Sequence, residues 1–409
     1  MNVLFICHRI PYPPDKGEKI RAFHILKHLA RRHTVHLAAF ADQAADLGHA
    51  EALRPLVTGE MLLLPLFKPA ARVRMVQALL TGRPLSVSYF SSGALRRWVD
   101  AILKRHAIDR VVLFSSAMAP LFLDRRNFDP EQVTLDMVDV DSDKWLQYSG
   151  SAKWPLRWIY AREARTLLAL ERRAARRFGA TLLVSPFEAR TFAQLAPEAR
   201  DRIHSVANGV DLSPRNPGPS PYAADEMPLV MVGTMDYRPN IDGAVWFAER
   251  VLPLVRETLP SARFYIVGAN PAAALMTLRE GVTVTGKVAD VAPFVMHAAV
   301  VVAPLRLARG VQNKVLEGLA MERPVVATGA ASRGLDAVPG RDLLVADDPG
   351  RFAEAVIAAA VGPERLRLAA NGRALVEREY DWDITLKTLD DLLEDAPAEE
   401  TRPKRRAIG

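Results

Sequence analysis

One alternation recurs along the chain: a short apolar run, an amphipathic stretch with helical spacing, then another short apolar run. Val3 to Cys7, Ile20 to Arg31 and Val35 to Phe40 read as strand, helix and strand. Val111 to Phe114, Val133 to Met137 and Thr181 to Val184 continue the series. These runs are apolar throughout instead of alternating with polar residues, as strands covered on both faces must be. Parallel strands need a crossover connection, so the alternation predicts a parallel sheet sandwiched by helices.

From Ser213 to Pro228 the text changes to a segment dense in proline, which lacks an amide donor and resists helix and central strand alike. A second series follows: Leu229 to Val232, Phe264 to Val267, Val282 to Thr285, Val300 to Ala303, Pro324 to Ala327 and Leu343 to Val345. The expectation is an α/β chain with two doubly wound, Rossmann-like domains. Its predicted parts are an N-terminal domain over 1–212, a linker over 213–228 and a C-terminal domain over 229–380. A helix over 381–394 is free to pack back on the first domain, and 395–409, polar and rich in charge, reads as a flexible tail. No short-period repeat interrupts this plan.

Composition narrows the function. With 409 residues, 49% of them apolar and 25% charged, the chain buries large cores and is not a disordered polymer. The net charge of +7 favours phosphate-bearing ligands or anionic lipid. No zinc-finger or helix-turn-helix signature and no RNA-stacking aromatic pattern accompanies it, so nucleic acid is not the expected partner. Cys7 is the only cysteine, which excludes an intramolecular disulfide and a cysteine metal cluster and fits a reducing cytoplasm. The start, Met1 to Cys7, reads as a buried strand and not as a signal peptide. Met61 to Phe67 is too short to span a bilayer and contains Pro65, so any membrane contact is expected to be peripheral.

Three segments carry candidate chemistry. Between the first strand and first helix, Pro11 to Arg21 lacks the three-glycine dinucleotide fingerprint. Gly17 there permits close backbone approach to a ligand at a helix start, although an ordinary turn accounts for it equally. Pro304 to Thr328 runs strand, glycine-containing loop, helix, strand. Loop amides around Gly310, Val311 and Gln312 can face a diphosphate, Arg309 and Lys314 can neutralise it, and Glu317 can accept hydrogen bonds from ribose hydroxyls. Gly233 and Thr234, Arg238 and Lys287 are further donor-binding candidates, set against a plain solvated role for each basic residue. Finally, Val133 to Trp145 presents Asp136, Asp139, Asp141 and Asp143 at and beyond a strand end, where open α/β sheets bind ligands. Helix capping or solvation accounts for at least two of these four.

The segment Gly310 to Glu317, with Ser205 to Asp211 and Val232 to Asn240, resembles a GT-B glycosyltransferase of family four over nearly the whole chain. With Cys7 to Gly17, it looks like the sugar transferases associated with bacterial PEP-CTERM and exopolysaccharide loci. Glu317 fills the family's second glutamate; Arg309 stands where the first normally lies, and Thr234 replaces an arginine that follows the glycine. The resemblance implies two domains facing across a cleft that closes during transfer, and retaining, metal-independent chemistry with no cofactor. The donor would be a UDP- or GDP-sugar held by the second domain, and the acceptor a glycan or polyprenyl-linked sugar met by the first. Asp139 is then the candidate base, with Asp141 its alternative. Trp154, Trp158 and the basic stretch Arg162 to Arg177 suit either contact with an anionic inner membrane face or a helix packed in the first domain with its arginines in water. Two other classes fit the same architecture: a nucleotide-sugar epimerase, which turns over without acceptor, and a non-catalytic nucleotide-binding assembly protein.

Overall fold

A computed structural model of the chain describes residues 1–213, 217–278, 280–308 and 310–394. The tail expected over 395–409 and the candidate Arg309 therefore lie outside the described residues. The chain divides into two compact units. The first comprises Met1–Leu183, Glu188–Val206 and the chain from Leu386 onward; the second comprises Val184–Phe187 and Ala207–Thr385.

The first unit holds seven parallel strands: β1 (Asn2–Cys7), β2 (Thr34–Ala41), β3 (Met61–Pro65), β4 (Arg110–Phe114), β5 (Val133–Val138), β6 (Ala180–Leu183) and β7 (Ile203–Ser205). Their order is β3-β2-β1-β4-β5-β6-β7. The chain builds outward from β1 in one direction, then returns to its other side with β4. Leu4, Ile6, Leu113 and Leu135, all fully buried, form the middle of its core. Apolar side chains at successive positions are removed from water on both faces, which is why these strands are written as unbroken apolar runs.

The second unit repeats the plan with β8 (Met227–Val232), β9 (Ala262–Val267), β10 (Val282–Gly286), β11 (Val300–Ala303), β12 (Val325–Ala327) and β13 (Leu344–Val345). The order β10-β9-β8-β11-β12-β13 again reverses direction, between β8 and β11. In an open sheet of this kind ligands bind at the carboxyl ends of the strands flanking that reversal.

The division between the units differs from the sequence boundaries at 212 and 380. It falls between Val206 and Ala207 because the residues before the proline segment are already bonded into the second unit. Asn208 Nδ2 donates to Asn313 Oδ1 at 3.1 Å, the Val210 backbone amide donates to the Tyr380 carbonyl at 2.7 Å, and Gly209 sits so close to Trp382 that a Cβ would meet the ring at 2.6 Å. From Leu386 the chain belongs to the first unit. There the helix Lys387–Glu394 buries Leu389 and Leu393, His28 Nε2 and Asp390 Oδ1 lie 2.8 Å apart, and Arg110 Nε donates to the Leu393 carbonyl at 2.7 Å.

Candidate functional site

In the first unit the carboxyl ends of β1 and β5 carry a dense polar cluster. Asp136, the fourth residue of β5, is completely buried; it accepts from Arg21 Nε at 2.9 Å, and Arg21 Nη2 lies at ion-pair distance, also 2.9 Å. Arg21 extends inward from the helix Gly17–Ala30, and its Nη1 donates to the Val206 carbonyl at 2.8 Å. The other Asp136 oxygen accepts the amide of Val138 at 3.0 Å. Val138 has φ of 67°, a left-handed conformation in which a β-branched residue is strained by about 1–3 kcal/mol. The register of β5 against β6 shifts at the same place, between Asp136 and Val138. The strand end is thus turned sharply just before Asp139.

Beyond that turn the backbone is gripped by two buried carboxylates. Glu188 accepts the Val140 amide at 2.9 Å. Glu171, from the long helix Leu156–Arg177, accepts the Ser142 amide at 3.3 Å and the Ser142 hydroxyl in a short bond. Burial pushes the Glu171 carboxyl up to about 8; the bonds from Ser142 pull it down and the charge of Asp141 adds to the rise. Asp141 opens the helix Asp141–Ser151 and is also raised, by burial first, against the attraction of Lys144 and with the repulsion of Asp139. Asp139 itself follows the strained residue directly, on a segment fixed from three sides.

His8 and Glu18 sit at the end of β1 in this same unit. His8 Nδ1 lies 3.2 Å from the Phe114 carbonyl, so that nitrogen carries the proton, and the ring stacks on Phe114. Its Nε2 is 3.8 Å from Glu18, which also pairs with Arg9. Burial would raise the Glu18 carboxyl, but His8 and Arg9 outweigh it and hold the group far below the usual range. Gly17 is the exposed first residue of the neighbouring helix. Charges of both His8 and Glu18 act on Asp141, so the cluster spans the strands on either side of β4.

In the second unit the loops after β8 and β11 flank the reversal of strand order. Asn240, buried in the helix Arg238–Trp246, joins them. Its Nδ2 donates to the Thr234 carbonyl at 2.9 Å, and its Oδ1 accepts from Lys314 Nζ at 3.1 Å. A Cβ at Gly233 would meet Asn240 Nδ2 at 2.7 Å, so a larger residue there would displace the Asn240 side chain from the junction. Gly268 is tighter still: with φ of 153°, its Cβ would fall 1.7 Å from the Gly233 carbonyl oxygen. Gly310 has φ of 59°, and its carbonyl approaches Gly334 so closely that a Cβ there would lie 2.3 Å away. Val311 is buried beneath this turn, and Gln312 precedes the helix Asn313–Ala320, whose start is aimed from the end of β11. Burial lowers Lys314 to about 8, while Glu317, one turn along, draws it upward. A poorly solvated ammonium, a helix start and glycine-backed loops are features that can accommodate a phosphate.

Thus Gly233 and Thr234 stand on the loop after β8, Gly310, Val311 and Gln312 on the loop after β11, and Lys314 and Glu317 on the helix that follows it, with Lys314 joined to Thr234 through Asn240. Arg238 is exposed at the start of its helix. Lys287 is exposed beyond the edge strand β10, two strands and so about 10 Å from β8, and is no part of the Asn240 junction. Asn240, Gly268 and Gly334 carry the junction without having been singled out in the sequence, as do His8, Glu18, Glu171 and Glu188 in the first unit. The one available signal was position, because His8 and Asn240 each follow the first strand of a sheet.

Residues 227–360 match the family model described as glycosyl transferases group 1. No curated protein matches the chain. Among solved structures, HepE of Anabaena in complex with UDP and glucose is similar at 14% identity and TM-score 0.64, over 96% of this chain and 99% of that one. Sucrose-phosphate synthase of Thermosynechococcus elongatus is similar at 16% identity and TM-score 0.69, over 96% and 98%. WaaG, a glycosyltransferase involved in lipopolysaccharide biosynthesis, is similar at 16% identity and TM-score 0.64, over 96% and 100%. These likenesses establish the fold: two Rossmann-like α/β units in the GT-B architecture.

Proposed function

We propose that the chain is a glycosyltransferase that moves a hexose from a UDP- or GDP-sugar to a glycan or polyprenyl-linked acceptor. The observation that carries this reading is the Lys314–Asn240–Thr234 junction at the strand reversal of the second unit, within the segment matching glycosyl transferases group 1. Lys314 and the amides at the start of its helix meet the donor diphosphate, with Arg309 and Arg238 as further cations. Glu317 accepts from ribose. In the first unit Asp139, with Asp141 as its alternative, takes the acceptor proton. Transfer is retaining and needs no metal or cofactor, and the pathway is exopolysaccharide synthesis of the kind found at PEP-CTERM loci. Among the described residues no helix is long and apolar enough to cross a membrane. The enzyme works in the cytoplasm, peripheral at the inner face of the membrane, where a polyprenyl-linked acceptor lies.

The test is turnover of a panel of UDP- and GDP-sugars with and without polyprenyl-phosphate and polyprenyl-diphosphate-sugar acceptors, the product anomer being read by NMR. Acceptor-dependent release of one nucleoside diphosphate, with the donor's anomeric configuration kept, is expected. Acceptor-independent conversion of the sugar would mean an epimerase instead, and binding without turnover an assembly protein.

Lys314 gives the donor site a pH signature. Its charged form attracts phosphate, and in the free protein that form is lost as pH rises through about 8. Donor affinity should therefore be full near pH 7 and weaken above pH 8, by up to about tenfold per pH unit. Calorimetry from pH 6.5 to 9.5 checks this. Lys314→Ala should bind more weakly at pH 7 and lose most of the slope; an unchanged slope would assign the titration to another group.

A further inference from the structure

The helix Lys68–Thr81 is built inside out. Its buried positions are two alanines, Ala71 and Ala78, while Val73, Val76 and Leu80 are exposed. At 100° per residue those three share one stripe, opposite the alanines. Leu80 is 89% exposed, and Phe67, at the helix start, is also in solvent. Lone exposed apolar residues are ordinary, but three apolar side chains aligned on one helix face, turned away from its own core while Met75 and Leu79 stay half-buried, are a surface made to be covered.

Besides Ala71 and Ala78, which pack inward, polar bonds hold this helix to the unit. Arg74 donates through Nε to the Ser88 carbonyl and through Nη2 to that of Tyr89, both at 3.1 Å. Arg162, buried on the helix Leu156–Arg177, donates to the carbonyls of Ala78 and Arg83, and the neighbouring Glu163 accepts the amides of Leu85 and Ser86. These bonds join the end of the first helix to the start of the second. One turn before Arg162 lies Trp158, preceded by Leu156 and by Trp154, which is 83% exposed.

Charge decides what covers the surface. Residues 61–99 contain Lys68, Arg72, Arg74, Arg83, Arg96 and Arg97 and no acidic residue, and residues 144–162 contain Lys144, Lys153, Arg157 and Arg162 and none either. Lys68, Arg72, Arg83, Lys153 and Arg157 are exposed. Aliphatic side chains that can enter acyl chains, tryptophans suited to the interface, and exposed cations on acid-free stretches of the sequence complement an anionic lipid surface. We propose that the outer face of the helix Lys68–Thr81, together with the start of the helix Leu156–Arg177, docks this unit onto an anionic phospholipid bilayer. The inference extends the membrane contact above to a helix that the sequence did not single out, and it stands whether or not the chain transfers a sugar.

The experiment is sedimentation of the full chain with vesicles of phosphatidylglycerol and phosphatidylcholine, against vesicles of phosphatidylcholine alone, at low and high salt. The wild type should partition at least tenfold more strongly to the anionic vesicles at low salt. Val76→Asp with Leu80→Asp should remove at least tenfold of that partition, as should Trp154→Ser with Trp158→Ser. Circular dichroism and Tm should be unchanged, because the substituted side chains are exposed. Equal partition of wild type and variants, or no binding to anionic vesicles, would overturn the proposal. So would ultracentrifugation showing a wild-type dimer that Val76→Asp with Leu80→Asp converts to monomer, which would make a second copy the occupant.

Discussion

Arg21→Ala should destabilise the first unit by about 3–5 kcal/mol, the cost of removing one partner from a buried ion pair. Arg21 and Asp136 are both fully buried, so deleting the guanidinium leaves a carboxylate that water cannot reach. The same change frees the Val206 carbonyl and loosens the oxygen framework that holds Val138 in its left-handed conformation. Urea unfolding followed by far-UV circular dichroism, with the first-unit transition resolved separately, is the measurement. Arg21→Met combined with Asp136→Leu should recover much of the loss, since an apolar pair of similar volume carries no stranded charge. A loss below about 1 kcal/mol for the single variant would mean that solvent reaches the pair after all.

Asp139→Asn should lower kcat by about 10²–10⁴-fold, the usual contribution of a positioned general base, while leaving donor affinity unchanged. The proposal that Asp139 takes the acceptor proton rests on what surrounds it. A strained valine precedes it, the Val140 amide is bonded to Glu188, and Ser142 is bonded twice to Glu171. Strain that persists at a loop between such anchors is commonly kept for function. If Asp141 is the base instead, Asp141→Asn shows the large loss and Asp139→Asn a small one. Similar small losses in both would remove this cluster from the chemistry. Steady-state kinetics with a donor and acceptor found in the panel distinguish these results.

Much of the fold was legible because burial on both faces leaves a plain trace. Val300 to Ala303 is a strand with the bounds its composition suggested, and the runs at Val3, Val111, Val133, Leu229 and Phe264 are strands extended by a residue or two. The edge strands of the first unit were not legible. Met61–Pro65 is only half buried and ends in proline, and Ile203–Ser205 is short and partly exposed, so neither carries an unbroken buried run. On the second unit, glycines and a lysine at a strand reversal could be read from spacing. Asn240 could not, because its bond to Lys314 joins positions 74 residues apart. Glu171 and Glu188 look like ordinary helix acids among arginines; they are buried because their partners are backbone amides of a distant loop. Arg162 reverses a similar impression: it does not lie in water but is inserted among the carbonyls at the end of another helix.

The central claim, a nucleotide-sugar site on the second unit, is tested most directly by calorimetric titration of the full chain with UDP and with GDP, alongside Lys314→Ala and Glu317→Ala. Saturable binding of one nucleotide, weakened at least tenfold by Lys314→Ala and measurably by Glu317→Ala, is the expected result. Binding of neither nucleotide, or binding that both substitutions leave unchanged, would contradict it.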